Sequence, residues 1–173
     1  MRTTQIFFNR LMAILNARGL SLAWIEEKTG ISEVFLATFE YIASGLSFQL
    51  VLKVAVALGV SIESLISEDC ETREVSYGES TPKIAYINIY RHFWIAVDYE
   101  ADRKGKDLYD ISWAAGKTIA GIVSCATRDK DIDIQRAEAI ALMLDTTIDK
   151  LIWGQVPEYA YEESLDELLV AGF

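Results

Sequence analysis

The stretch GISEVFLATFEYIASG, residues 30–45, decides how the fold of this chain is interpreted. A glycine followed by Ile-Ser and then by apolar residues at helical spacing is typical of a tight turn that leads into a short helix. The segment before it, SLAWIEEKT at residues 21–29, is also amphipathic and also begins with a serine. Because two short helices joined by such a turn form a helix-turn-helix, the sequence predicts this motif here.

The same pattern recurs further along the chain. Shifting the sequence by 86 positions aligns GLSLAWIEEKTGISEVFLATF with GKDLYDISWAAGKTIAGIVSC, which begins at Gly105. Residue types that cap helix N-termini stay in register across this shift. They are Ser21, Ser32, Ser47 and Ser61 in the first copy and Asp107, Thr118, Asp133 and Thr147 in the second. The sequence therefore predicts an all-α chain of two tandem five-helix units, residues 1–66 and 87–154.

Helical periodicity also predicts the core. Leu36 and Phe39 are the core candidates of the third helix. The first helix of each unit is expected to bury one apolar face: Phe8, Leu11, Ile14 and Leu15, or Tyr90, Trp94, Val97 and Ala101. All four tryptophans fall at core spacings and are predicted to be buried: Trp24, Trp94, Trp113 and Trp153.

Charge is distributed unevenly along the 173 residues. A net charge of −10 at first argues against a nucleic-acid partner. Eight of the ten net negative charges, however, lie in residues 67–86, predicted to be an acidic linker, and in residues 155–173, predicted to be an acidic tail. The two predicted folded units are nearly neutral, so binding to DNA stays open for them.

Residues 10–66 resemble the lambda-repressor-like helix-turn-helix family, also called Cro-type or xenobiotic-response-element type. The resemblance rests on SLAWIEEKTGIS, on Glu40, and on SFQLVLKVAVALGVSIESLI at residues 47–66. Residues 87–154 resemble it more loosely, through DLYDISWAAGKT and IALMLDTTIDKLIWG. The resemblance implies two tandem DNA-binding domains, each with its third helix in the major groove.

The resemblance also implies which residues contact DNA. Base edges would be met by Ser32 and Thr38 in the first unit, and by Thr118 and Ser124 in the second, with Lys117 just before. Phosphates would be met by Arg128 and Lys130 in the loop that follows. The first unit has YIASGLSF in that loop, without any cation. We therefore expect the second unit to dominate any DNA binding.

The third helix of the first unit is followed by further apolar residues. An exposed apolar patch of this kind is typical of a protein interface. The residues predicted for it are Val34, Phe35, Tyr41, Ile42 and Leu46. We expect them to serve in a homodimer, in tight packing of the two units, or in binding another protein.

Other functions find little support in the sequence. His92 is the single histidine, and no nucleophile–base pair or metal-ligand spacing accompanies it, so neither an enzyme nor a cofactor is expected. The longest apolar run, Val54–Val60, is too short to cross a bilayer, and the N-terminus does not resemble a signal peptide. Cys70 and Cys125 favour a reduced, cytoplasmic protein, with one disulfide as the alternative.

Two functions remain. The first is a sequence-specific, DNA-binding transcriptional regulator of prokaryotic or phage type. The second is a protein-binding antirepressor or inhibitor from a mobile element, with helix-turn-helix domains that have been repurposed. The family's usual role favours the first function. The acidic tail and the cation-poor third helices favour the second.

Overall fold

The computed structural model describes residues 3–41, 45–76, 82–127, 131–158 and 160, without the side chains of 82–88. The fold is all-α, as predicted: an isolated antiparallel bridge, Val60 to Glu74, accompanies ten helices in these ranges. They are α1 (Thr3–Arg18), α2 (Leu22–Thr29), α3 (Glu33–Thr38), α4 (Phe48–Leu58), α5 (Glu63–Ile66), α6 (Pro82–Arg103), α7 (Leu108–Ala115), α8 (Ile119–Thr127), α9 (Ile134–Met143) and α10 (Ile148–Trp153).

The chain divides into two compact units, Met1–Tyr86 (unit one) and Ile87–Phe173 (unit two). In unit one, α1 packs against α5, and α2 packs against both α3 and α4. Its core lies among these helices, and α4 contributes most to it because seven of its eleven residues are buried. In unit two, α7 packs against α8 and α9, and α10 packs against α9.

Helix caps recur at the 86-residue offset. The Ser21 hydroxyl accepts a hydrogen bond from the backbone N–H of Trp24, and the Asp107 carboxylate accepts one from Asp110. The same correspondence holds at the start of the fourth and fifth helices: Ser47 with Asp133, and Ser61 with Thr147. Local capping therefore sets equivalent helix starts in the two units.

The turn after the second helix also recurs. Gly30 and Gly116 end α2 and α7 with φ of 72° and 57°, the left-handed backbone that a side chain disfavours. This conformation lets the chain reverse within a few residues and places α3 and α8 across the helices that precede them. The predicted glycine turns are thus present in both units.

The predicted acidic linker, residues 67–86, contains a part that is bonded to unit one and a part that is helical. Residues 67–76 are joined to unit one, because Val75 N–H donates to the Gly59 carbonyl and Ser61 N–H donates to the Arg73 carbonyl. α6 begins at Pro82, five residues before the expected start at Ile87, and so occupies the rest of the predicted linker that is described. The acidic composition of this stretch does not keep it apart from its neighbours.

The predicted cores are largely correct. Leu36 and Phe39 are buried, as are the four residues expected from α6. In α1 the buried aromatic is Phe7, and Phe8 is only partly buried, one position from the prediction. Of the tryptophans only Trp94 is fully buried, while Trp24 and Trp153 are partly so. The prediction for Trp113 is wrong, since 88% of this residue is exposed.

Candidate protein and nucleic-acid interfaces

The N-terminus of α3 is capped by a carboxylate from the preceding helix. Ser32, the expected cap, is exposed and makes no side-chain hydrogen bond to the helix. Instead the Glu26 Oε2 atom accepts the Glu33 backbone N–H at 2.8 Å. Glu26 and Glu33 therefore place two negative charges at the helix end that a DNA-binding unit would insert into the major groove. This arrangement repels a polyanion.

The exposed side of α3 is apolar. We use the term α3 surface for Val34, Phe35 and Tyr41, which are 71%, 50% and 80% exposed. The Phe35 ring meets the buried Phe39 ring edge-to-face, with 5.2 Å between centroids, and Phe39 meets Phe7 in the same way at 5.8 Å. The core thus holds the inner edge of Phe35 while its other half faces solvent. Such an anchored aromatic is a typical protein-binding feature.

Carboxylates surround the α3 surface. Glu26, Glu33 and Glu40 are all exposed, and no lysine or arginine occurs in residues 29–52. Glu40 raises the pKa of the adjacent Tyr41 through a hydrogen bond and through its negative charge. The nearest cation in sequence, Lys28, pairs with Glu27 at 3.2 Å and lies 5.8 Å from the centre of the Trp24 ring. The region as a whole is therefore apolar and acidic.

Three other residues were predicted to contact a partner in this region, and the α3 surface as defined above does not include them. The Thr38 hydroxyl donates to the Phe35 carbonyl at 2.6 Å, so its proton is already used within α3. Leu46 is 1% exposed and belongs to the core, which corrects its assignment to the interface. Packing, rather than the periodicity of an apolar run, decided its direction. Ile42 lies outside the described residues.

Unit two presents a more neutral third helix. Thr118 is exposed, and its Oγ1 atom accepts the Gly121 backbone N–H at 3.1 Å; Ser124 is partly buried. The carbonyl of Lys117 accepts a hydrogen bond from Ser112 at 2.7 Å, which fixes the backbone just before α8. The two predicted phosphate contacts, Arg128 and Lys130, lie outside the described residues.

The cations that precede α7 are mostly engaged. Arg103 pairs with Glu100 at 2.8 Å. Lys104 donates to the carbonyl of Leu144 at the end of α9. At the N-terminus of α7, Asp107 and Asp110 each accept the other's backbone N–H, at 3.0 and 3.1 Å. A phosphate approaching this helix end would therefore meet two carboxylates.

A second exposed apolar area, on α7, was missed by sequence reasoning. We use the term α7 surface for Leu108, Tyr109 and Trp113, which are 38%, 73% and 88% exposed. Tyr109 and Trp113 are four residues apart and share a helix face, opposite the buried Ile111 and Ala115. The alignment of the two repeats could have identified this surface. The 86-residue offset aligns Tyr109 and Trp113 with the polar-compatible positions Ala23 and Glu27, both of which are exposed.

Catalytic and metal-binding features are sparse in the described ranges. There, no three His, Cys, Asp or Glu side chains come together as a metal site. The His92 Nε2 atom lies 3.1 Å from the Gly154 carbonyl oxygen, which ties α6 to the end of α10. Burial lowers the pKa of His92, and the hydrogen bond to Gly154 partly opposes this effect. Cys70 and Cys125 are both free thiols.

No helix in the described part of the chain combines the length and the apolar character that crossing a membrane requires. Comparison with known proteins gives no match, whether the chain is set against protein-family models, curated proteins or solved structures.

Proposed function

We propose that this chain is a protein-binding module of the antirepressor or inhibitor kind, built on two helix-turn-helix-like units. The observation that carries the proposal is the α3 surface, where a DNA-binding unit would have its recognition helix. Val34, Phe35 and Tyr41 are at least half exposed there. Large exposed aromatics anchor protein interfaces, because their burial releases much apolar surface from water.

Electrostatics supports the same proposal. Phosphate contacts supply most of the affinity of DNA-binding domains, and they require lysine or arginine. Around α3 the charged groups are instead Glu26, Glu33 and Glu40. A partner of this surface therefore has apolar side chains surrounded by basic ones. A protein that itself binds nucleic acid carries basic side chains of this kind, which fits the partner of an antirepressor or inhibitor.

The test uses two paired variants. Phe35→Ser with Tyr41→Ser removes the aromatic part of the α3 surface, and Leu142→Ser removes an exposed apolar side chain of unit two that lies outside both surfaces. Each purified protein is used to capture partners from the cells that encode it, at low and high salt. We expect a partner that the wild type and Leu142→Ser retain, that the double variant loses, and that dissociates more readily at high salt.

A direct DNA measurement completes this test. Binding to random duplex is titrated against salt, because a groove-binding protein shows a steep log–log dependence. The proposal fails if the wild type binds duplex with a steep slope that Phe35→Ser or Glu33→Ala abolishes. It also fails if the double variant captures the same proteins as the wild type.

Duplex binding by unit two is a second candidate function. It is favoured by α8 and the residue before it: from Lys117 to Thr127 the sequence has one cation and no carboxylate. The exposed Thr118 and the partly buried Ser124 offer hydroxyl groups that can meet either base edges or water. In this case Arg128 and Lys130 would supply the phosphate contacts.

The salt titration distinguishes this candidate. Each phosphate-contacting cation contributes roughly one unit to the slope, so Arg128→Ala with Lys130→Ala should flatten it by about two. Glu33→Ala in unit one should leave duplex binding unchanged or tighten it. Duplex binding that is indifferent to the unit-two variants would exclude this function for α8.

A further inference from the structure

Charged residues flank the α7 surface at both ends of the helix. Asp107 and Asp110 stand at the N-terminal end of α7, and Lys117 follows its C-terminal end. Between these ends lie Tyr109 and Trp113, whose side chains share one exposed face. If two such helices pair antiparallel, each lysine comes near the carboxylates of the other copy. The dipoles of the two antiparallel helices also attract each other.

We propose that the α7 surface binds a second copy of this chain, in a dimer whose two α7 helices pair antiparallel about a twofold axis. An interface of this kind uses the same patch on both copies, so the patch must complement itself. Tyr109 and Trp113 of each copy stack on those of the other. Lys117 of one copy lies toward Asp110 of the second copy.

The α3 surface does not suit this role. An antiparallel twofold contact through α3 would bring Glu33 of one copy close to Glu40 of the other. Like charges at an interface cost free energy and select against that pairing. The homodimer expected from the Val34–Leu46 region is thereby assigned to α7 instead. The α3 surface remains available for a different, basic partner.

The available apolar area sets the expected strength of the dimer. An aromatic side chain contributes about 150–250 Å² when it is fully buried. From their exposures, Leu108, Tyr109 and Trp113 of two copies together contribute on the order of 900 Å². Stable interfaces bury roughly 1,200–2,000 Å² in total, and smaller ones are transient. We therefore expect a reversible dimer rather than a permanent one.

The test is sedimentation equilibrium of the full chain across the micromolar range. Trp113→Ala should weaken dimerisation by about 30-fold, as expected for loss of a central aromatic anchor. Trp113→Phe should retain most of it. Lys117→Glu should weaken it roughly threefold, in line with an exposed ion pair. Because Trp113 is 88% exposed, these variants keep the fold, which circular dichroism verifies.

Phe35→Ala is the matched control, since it removes an exposed aromatic from the α3 surface and should leave the dimer intact. The proposal is overturned if the wild type is monomeric at every concentration, or if Trp113→Ala dimerises as well as the wild type. A Phe35→Ala effect equal to that of Trp113→Ala overturns it too. None of these outcomes depends on what the α3 surface binds, so this inference and the proposed function are tested separately.

Discussion

Arg18 and Lys104 lie 86 residues apart, and each donates a hydrogen bond to the C-terminal end of a helix in its own unit. Arg18 donates to the Leu58 carbonyl at the end of α4, and Lys104 donates to the Leu144 carbonyl at the end of α9. The last carbonyls of a helix lack partners within the helix, and the helix dipole attracts cations there. A long basic side chain at this position meets both requirements, and the difference between Arg and Lys does not matter to it.

Removing either cation should therefore destabilise the protein. We expect Arg18→Met and Lys104→Met each to lower the free energy of unfolding by about 1–2 kcal/mol, measured by urea denaturation. Lys28→Met is the control, because the Lys28–Glu27 pair is exposed and should contribute no more than about 0.5 kcal/mol. An equal loss in all three variants would assign the effect to net charge rather than to the helix ends.

The residue that follows these helix ends also corresponds between units. Gly59 has φ of 63°, and its counterpart Asp145 has φ of 47°, the one positive value at a non-glycine residue in the described ranges. The hydrogen bonds around both are equivalent: the N–H of Gly59 donates to Val56 and that of Asp145 donates to Leu142. Unit two thus uses an aspartate where the backbone favours glycine.

Opposite substitutions should have opposite effects at these two positions. Gly59→Ala forces a side chain into the left-handed region and should cost about 1 kcal/mol of unfolding free energy. Asp145→Gly relieves that conformation, and although glycine also gains freedom in the unfolded chain, we expect no loss and a gain of up to about 1 kcal/mol. Equilibrium denaturation of both variants checks this, and a change of the same sign in both would contradict the correspondence.

At the scale of single helices, sequence predicted where helices begin better than which side they bury. Capping is local: a side-chain oxygen meets an N–H a few residues on, so Ser47 and Asp133 could be recognised directly. Burial depends on the neighbouring helices, which periodicity does not contain. Leu46 and Trp113 were therefore misplaced in opposite directions. The α3 surface was partly predictable, and the α7 surface could be found only by comparing the two repeats.

The orientation of α3 predicts how much two substitutions lower the free energy of unfolding. Phe39 is 4% exposed and Phe35 is 50% exposed, although they are one helical turn apart. Phe39→Ala should cost about 3–5 kcal/mol of unfolding free energy because it leaves a cavity next to Phe7. Phe35→Ala should cost less than about 2 kcal/mol, since solvent fills most of the vacated space. Comparable losses by thermal or chemical denaturation would mean that α3 is turned differently.

For the molecule as a whole, the proposed dimer through α7 would strengthen the binding of a partner at the α3 surface. A dimer joined through α7 contains two copies of the α3 surface. Two linked binding surfaces can hold a partner that is itself dimeric far more tightly than one, because the second contact becomes intramolecular. The two units share their helix caps and glycine turns, whereas their exposed helices differ: α7 exposes aromatic side chains, and α3 exposes apolar side chains with carboxylates nearby.

Arg10 connects the segment 67–76 to unit one and so extends this unit beyond α5. From α1, its guanidinium donates to the Ser64 carbonyl at 2.8 Å and to the Cys70 carbonyl at 2.5 Å. These bonds hold the segment 67–76 in place, where Val75 N–H donates to Gly59 at 2.8 Å. Composition alone indicated an acidic linker here, because a single long-range arginine leaves no pattern in the sequence.

Arg10→Met should release this segment in the intact protein. The partly buried carbonyls of Ser64 and Cys70 lose a charged donor, so we expect the Val75 amide to exchange its hydrogen about tenfold faster or more. Amides in the middle of α4 should change much less, because their bonds lie within the helix. Arg103→Met, which removes an exposed pair with Glu100, serves as the control. Unchanged protection of Val75 would mean that the Val60–Glu74 bridge holds the segment without Arg10, and that unit one reaches residue 76 through backbone pairing alone.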